Sequence, residues 1–336
     1  MYFVRERPRV VVASVQGRGT LPPKDALRLE AVADVTYLAS DRQLSRETAL
    51  SAFARAEIVA FTPKVAPPID DDLLTALPGL RGMAVYATGY DFIDVDLLDR
   101  HGVVLTYLPR YSTVSVAEHT IGLLLTLSRR IHLAHDRSRG RVPPNISLRG
   151  FELAGRTLGV VGLGHIGSRV ARLAQGFGMR VVATDIRSHL CPPPHVTVTD
   201  LGELLTRAHA VTLHCPAARH GRPIVAAPQL RLMREGSVLV NTGRPALVDN
   251  TAVLAAIRAG RLRGYAVDDV ICDPEEHADL LIQGRVVQTG HSAWWSDEVL
   301  ERGGAMWAES IRRMALGSPV DVVRPANPVT IGEVAV

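Results

Sequence analysis

Thr157-Leu-Gly-Val-Val-Gly-Leu-Gly-His-Ile-Gly-Ser-Arg-Val-Ala (residues 157–171) decides the fold. Its first residues read as a buried strand, and Gly162, Gly164 and Gly167 follow in G-x-G-x-x-G spacing where a helix opens. The first glycine permits a tight turn and the second lets the backbone approach a pyrophosphate. The third lets the helix sit close on the strand. Free N–H groups and the positive end of the helix dipole then face the phosphates. Arg180-Val-Val-Ala-Thr reads as the next strand and ends at Asp185. A carboxylate at about this twenty-residue distance accepts the ribose 2′-hydroxyl and repels a 2′-phosphate. The expected cofactor is therefore NAD rather than NADP, with Arg187 as the nearby group able to accept a phosphate.

Outward from this loop, β-branched runs alternate with helical patterns in both directions. Upstream, strands are expected at Arg9–Ser14, near Val35–Leu38, and at Glu57–Phe61, Gly82–Tyr86 and Val103–Thr106. Downstream they are expected at Ala210–His214, Ser237–Asn241, Gly264–Val267 and Arg285–Gln288. Such alternation implies an α/β chain with two parallel sheets covered by helices. Val114–His132 reads as one long buried helix, Arg137–Gly150 as a turn-rich stretch, and Asp297–Leu316 as a helical tail that packs back on the first block.

The chain has 336 residues, 47% hydrophobic and 21% charged, which suits two globular domains rather than disorder. No apolar run is long enough to span a bilayer, and the charged start at residues 1–8 lacks the apolar core of a signal peptide. Cys191, Cys215 and Cys272 fit neither a disulfide framework nor a zinc pattern, so a reducing, cytoplasmic setting without metal is expected. The net charge of +4 comes with only two lysines, and the arginines are scattered along the chain. That argues against a nucleic-acid partner and for a compositional bias toward arginine, with a few arginines serving a small anionic substrate as the alternative.

Three later segments each carry a polar residue just after a strand: Arg244, Asp268 followed by Asp273 and Glu275, and His291. Carboxyl ends of parallel strands line the ligand crevice of such sheets. An arginine can clamp a substrate carboxylate, a histidine can exchange a proton with an alkoxide, and an acid behind it orients the imidazole. The set suits hydride transfer to or from a 2-oxo acid.

At this point the chain resembles the D-isomer-specific 2-hydroxyacid dehydrogenase family over nearly its whole length. Gly89-Tyr-Asp-Phe-Ile-Asp-Val-Asp is similar to the family's substrate loop, Tyr111–His119 to its crossover segment, and Leu213-His-Cys-Pro to a strand end beside the nicotinamide ribose. The resemblance implies a Rossmann NAD-binding domain (111–299) inserted in a flavodoxin-like substrate domain (1–110 plus 300–336), and a homodimer built through the helix around Val116–Arg130. It implies Arg244 and His291 as catalytic residues. Thr113, His165, Ile166, Asp185, His214, Cys215, Pro216, Thr242, Gly243 and Asp268 join the three loop glycines at the dinucleotide, with Asp268 at the nicotinamide carboxamide. Ala87, Thr88 and Gly89 hold the substrate's acid group through backbone N–H groups.

Several positions depart from the family pattern. Counting from Asp268 places the supporting acid at Asp273, whereas a one-residue insertion at the doubled Asp268-Asp269 places it at Glu275, the favoured register. Pro245 replaces the usual glycine, and the 217–222 loop lacks the usual threonines. Trp294 and Trp295 resemble the C-terminal-binding-protein branch, where an aromatic wall shapes the substrate pocket; equally, they read as two tryptophans packing a domain interface. Thr113-Val-Ser-Val-Ala-Glu is similar to the phosphite dehydrogenase branch, but Thr88 stands where that branch has lysine. His119, on an apolar helix, reads as a core residue. The expected activity is NAD-dependent oxidoreduction of a small D-2-hydroxy or 2-oxo acid. The alternatives are an NAD(H)-sensing dimeric scaffold and a dehydrogenase of an unusual anion such as a phosphonate-bearing acid.

Overall fold

The computed structural model describes residues 7–187, 191–217 and 221–324. These divide into two compact units, one of Met1–Tyr111 with Asp297–Val336 and one of Ser112–Ser296. The first unit opens with strands β1 (Arg9–Ser14), β2 (Asp34–Ala39), β3 (Ile58–Phe61), β4 (Gly82–Val85) and β5 (Val104–Thr106). Helices α1 (Pro23–Glu30), α2 (Arg46–Phe53), α3 (Asp71–Thr75) and α4 (Val95–Arg100) alternate with them. β3 and β4 are buried throughout, as strands covered on both faces must be, which is why they read as apolar runs. Ser45, Asp70 and Asp94 start their helices by accepting the N–H groups of Thr48, Leu73 and Leu97.

The second unit carries α5 (Thr113–Arg129), α6 (Ile131–Ser138), β6 (Thr157–Val161), α7 (His165–Gly176), β7 (Arg180–Thr184), β8 (Val196–Val198) and α8 (Leu201–Arg207). It continues through β9 (Ala210–Leu213), α9 (Ala227–Leu232), β10 (Ser237–Asn241), α10 (Asn250–Arg258), β11 (Leu262–Val267), α11 (Ala278–Ile282) and β12 (Val286–Gln288). The chain then returns to the first unit with α12 (Asp297–Ala315) and β13 (Val322–Val323).

In the first sheet the order is β13-β5-β4-β3-β1-β2, a flavodoxin-like parallel arrangement with β13 added antiparallel at the edge. α12 is fastened there by Trp307, fully buried, whose indole donates to the Ala84 carbonyl at 3.1 Å. Tyr86 packs edge-on against both Trp307 and Tyr111. Gly303 makes room for that tyrosine, because a Cβ there would stand 2.2 Å from its hydroxyl.

The second sheet is parallel throughout, in the order β12-β11-β10-β9-β6-β7-β8. Strand order reverses at β6, which lies between β7 and β9, so the crevice opens where the glycine loop leaves the sheet. Two features differ from the sequence reading. The expected helix over Val114–His132 ends at Arg129, because Arg130 adopts φ +55°, and α6 begins anew at Ile131. β8 was not legible: it has three residues, two of them exposed.

Candidate active site

The glycine loop is built as its spacing demands. Gly162 has φ +92°, and a Cβ on it would stand 2.9 Å from the backbone of His214 and Cys215. A Cβ on Gly167 would sit 1.9 Å from the Gly162 carbonyl, so only glycine lets α7 approach β6 this closely. Gly164, the residue before α7, faces open space instead, which leaves its backbone accessible to a phosphate. His165 and Ile166 form the first turn of α7. Thr113 starts α5 with a buried hydroxyl that has no protein partner. Loop, helix terminus and free hydroxyl fit a dinucleotide.

Asp185, just past β7, accepts the Leu163 N–H at 2.8 Å and is clamped by Arg187 through bonds of 2.8 and 2.7 Å. The guanidinium holds this carboxyl down at about 2, so it is ionised throughout the physiological range. Arg187 is thereby engaged by the aspartate. Replacing Asp185 with serine removes the repelling charge and frees Arg187. The NADP/NAD ratio of kcat/KM is then expected to rise about a hundred-fold. An unchanged ratio in steady-state assays with both cofactors would exclude Asp185 as the discriminating group.

His214 follows β9, and its Nε2 meets the Thr212 hydroxyl at 2.9 Å. Burial pushes this histidine down to about 3, so it is neutral near pH 7. Burial likewise pushes the Cys215 thiol up to about 11, which removes it as a thiolate nucleophile. Pro216 is exposed at the end of this turn.

Three adjacent parallel strands end in the expected polar groups. After β10, the Asn241 side chain accepts the Gly243 N–H and donates to the Arg244 carbonyl, fixing the turn. Pro245 then opens a one-turn 3-10 helix, so the departure from glycine stiffens the support of Arg244. Thr242 shares a 2.8 Å bond with Thr120 of α5. After β11, buried Asp268 accepts from the Thr289 hydroxyl at 2.7 Å and from the N–H groups of Ser292 and Ala293 at 2.8 and 2.9 Å. Its carboxylate, expected at a nicotinamide carboxamide, is thus turned to the loop that follows β12. That loop holds His291 at φ +61°, a left-handed conformation unusual for histidine. The Asp268 bonds to the next two residues keep it there.

The acid that the structure places beside His291 lies in neither sequence register. Asp269 places its Oδ2 3.7 Å from the His291 Nδ1. Asp273 instead accepts the N–H groups of Glu275 and Glu276 and so closes its own turn, while Glu275 is exposed. Both aspartates lie in the bend just past β11, and there Asp268 is engaged by the loop after β12. Asp268 turns inward to the loop, leaving Asp269 for the imidazole.

Sequence reasoning also missed the support from α5. Ser115 donates to the Ala293 carbonyl at 3.0 Å, and His119 meets the Thr289 hydroxyl at 3.0 Å. Their i, i+4 spacing, one polar face on an apolar helix, was the available signal. Trp294 donates its indole N–H to the His291 carbonyl at 3.1 Å and stacks on Trp295. In the other unit, Ala87 and Thr88 follow β4 and are tied to Leu108, by Leu108 N–H to the Ala87 carbonyl and by the Thr88 hydroxyl to the Leu108 carbonyl. Gly89 is partly exposed beside them.

Residues 121–293 match the family described as D-isomer specific 2-hydroxyacid dehydrogenase, NAD binding domain. The chain belongs to this family. A glyoxylate reductase from Korarchaeum cryptofilum is 34% identical over 260 residues, covering 75% of this chain and 78% of the relative. A D-3-phosphoglycerate dehydrogenase from Methanocaldococcus jannaschii is 30% identical over 88% of this chain, which spans only 56% of that longer protein. The solved TT0316 protein from Thermus thermophilus superposes with a TM-score of 0.79 at 31% identity, covering 94% of this chain and all of that one. The chain is accordingly an NAD-dependent oxidoreductase of this dehydrogenase family. Among its described residues, no helix is long and apolar enough to cross a membrane.

Proposed function

We propose that this dehydrogenase interconverts a small 2-oxo acid and its D-2-hydroxy acid, with Arg244 as carboxylate clamp and His291 as proton donor and acceptor. The observation that carries the reading is the sequence of strand ends: Arg244 after β10, the aspartate pair after β11 and His291 after β12, on neighbouring parallel strands. In this reading Ser112–Ser296 is the NAD domain. The flanking unit is the substrate domain, with the Ala87, Thr88 and Gly89 N–H groups holding the acid group. The glyoxylate reductase among the relatives supports a small substrate.

Bound NADH supplies the hydride that adds to the carbonyl carbon. As the carbonyl π pair moves onto oxygen, the His291 proton is delivered to it from Nε2, since Nδ1 faces Asp269. The Asp269 carboxylate, 3.7 Å from Nδ1, orients the imidazole for that transfer. Arg244 offers a planar fork to the substrate carboxylate. Asp268 acts through the loop, fixing where His291 stands.

This assignment predicts a specific loss of rate. Asp269→Asn removes the carboxylate that faces the imidazole and is expected to lower kcat for reduction about ten-fold while NADH affinity is unchanged. Asp273→Asn and Glu275→Gln leave kcat in place. A fall in kcat for Glu275→Gln with none for Asp269→Asn would return the role to Glu275.

A homodimer over α5 belongs to the same proposal, supported by Val114 and Ile131, exposed apolar residues at and just beyond its ends. The cysteines are free thiols, which supports a reducing, cytoplasmic setting.

A further inference from the structure

Arginines scattered in the sequence meet in space. Arg130, Arg149, Arg263 and Arg285 line one cavity of about 530 Å³ in the second unit, together with Asn145 and Ser147. Arg263 is near the start of β11 and Arg285 immediately precedes β12. The cavity therefore lies at the amino ends of the two strands whose carboxyl ends lead to Asp268 and His291. It is separate from the glycine loop.

None of the residues lining this cavity is an aspartate or glutamate. The guanidinium groups are held by main-chain carbonyls instead: Arg130 donates to Gln283, Arg263 to Arg149, and Arg285 to Leu262 and Arg263. Arg263 also lies over the ring of Phe151, which Arg156 covers too. The Nε atoms of Arg130 and Arg263 are buried without a hydrogen-bond partner. Burial first, then repulsion among Arg130, Arg149, Arg156, Arg263 and Arg285, disfavours the charged forms of Arg130 and Arg263. Burial alone does the same for Arg285. Like charges gathered around a cavity and left with unused donors call for a multiply charged anion. Guanidinium forks match the oxygens of phosphate, and the volume is that of a small-molecule site.

We infer that this cavity binds a phosphate-bearing small anion carrying at least two negative charges. Such a ligand ties together the α5–α6 junction at Arg130, the loop at Arg149 and the amino ends of β11 and β12. It neutralises the cluster and stabilises the second unit.

The test uses the full chain saturated with NADH, so that the glycine loop is filled, at ionic strength fixed with chloride. Inorganic pyrophosphate is titrated by calorimetry and by thermal unfolding. One site per chain is expected, with a melting temperature that rises with ligand concentration. Arg149→Gln, which keeps the carbonyl that Arg263 uses, is expected to weaken binding about ten-fold or more while NADH affinity is unchanged. The Arg149→Gln/Arg263→Gln double variant should abolish binding; if it fails to fold, the single variant decides. Absence of saturable binding, or equal binding by Arg149→Gln and the native chain, overturns the inference. So does a change of sedimenting mass in Arg149→Gln with pyrophosphate affinity intact, because the cavity is then a contact between copies of the chain.

Discussion

His291→Ala is expected to lower kcat for reduction of a 2-oxo acid by about a thousand-fold, within the usual range for a positioned proton donor. NADH affinity should stay within a factor of two or so, because the histidine stands at the end of β12, away from the glycine loop of β6 in the strand order. The contrast between the two readouts matters. His291 is held in a left-handed conformation by bonds from Ser292 and Ala293 to Asp268, and these main-chain bonds survive the substitution. Loss of turnover would then report the missing proton donor and not a collapsed loop. NADH binding by fluorescence and single-turnover rates separate the two. A variant that retains more than a tenth of native kcat would remove His291 from the chemistry.

Arg244→Ala is expected to reduce kcat/KM by about a hundred- to a thousand-fold, with KM for the oxo acid rising as well as kcat falling. Truncating one side of a desolvated charge pair costs about 2–5 kcal/mol, which sets that range. Arg244→Lys keeps the charge but not the fork and is expected to recover only part of the loss. The Asn241 bond to the Arg244 carbonyl and the 3-10 turn opened by Pro245 involve no atom of the guanidinium, so the backbone should hold its course in either variant. A fall in kcat with unchanged KM in both variants would mean that Arg244 does not bind the substrate carboxylate.

The parts that were legible in the chain share a physical cause. Parallel strands such as β3, β6 and β10 are buried on every residue, so their central residues read as apolar runs. The glycine loop was legible because steric demands fall on Gly162 and Gly167 at fixed spacing, with Gly164 between them facing open space. What could not be read depended on direction or on distant neighbours. β8 and β13 are too short and too exposed to carry a pattern. The break at Arg130 follows from one residue's φ, with Arg130 reaching across to the carbonyl of Gln283. The place of Asp269 beside His291 was not read because it depends on the bend just past β11, where Gln288 pins the chain through the N–H groups of Ile271 and Cys272. Charge counting missed the arginine cavity because its four arginines come from four separate stretches of chain.

The central claim is that Arg244 and His291 work on a 2-oxo acid beside NADH. It is tested most directly by NADH oxidation across short, branched, aromatic and phosphono 2-oxo acids, with the native chain and His291→Ala side by side. The account predicts turnover of at least one short acid, formation of the D-hydroxy acid, and loss of that turnover in the variant. Tight NADH binding with no acid reduced by the native chain would contradict it and favour a dinucleotide-sensing scaffold.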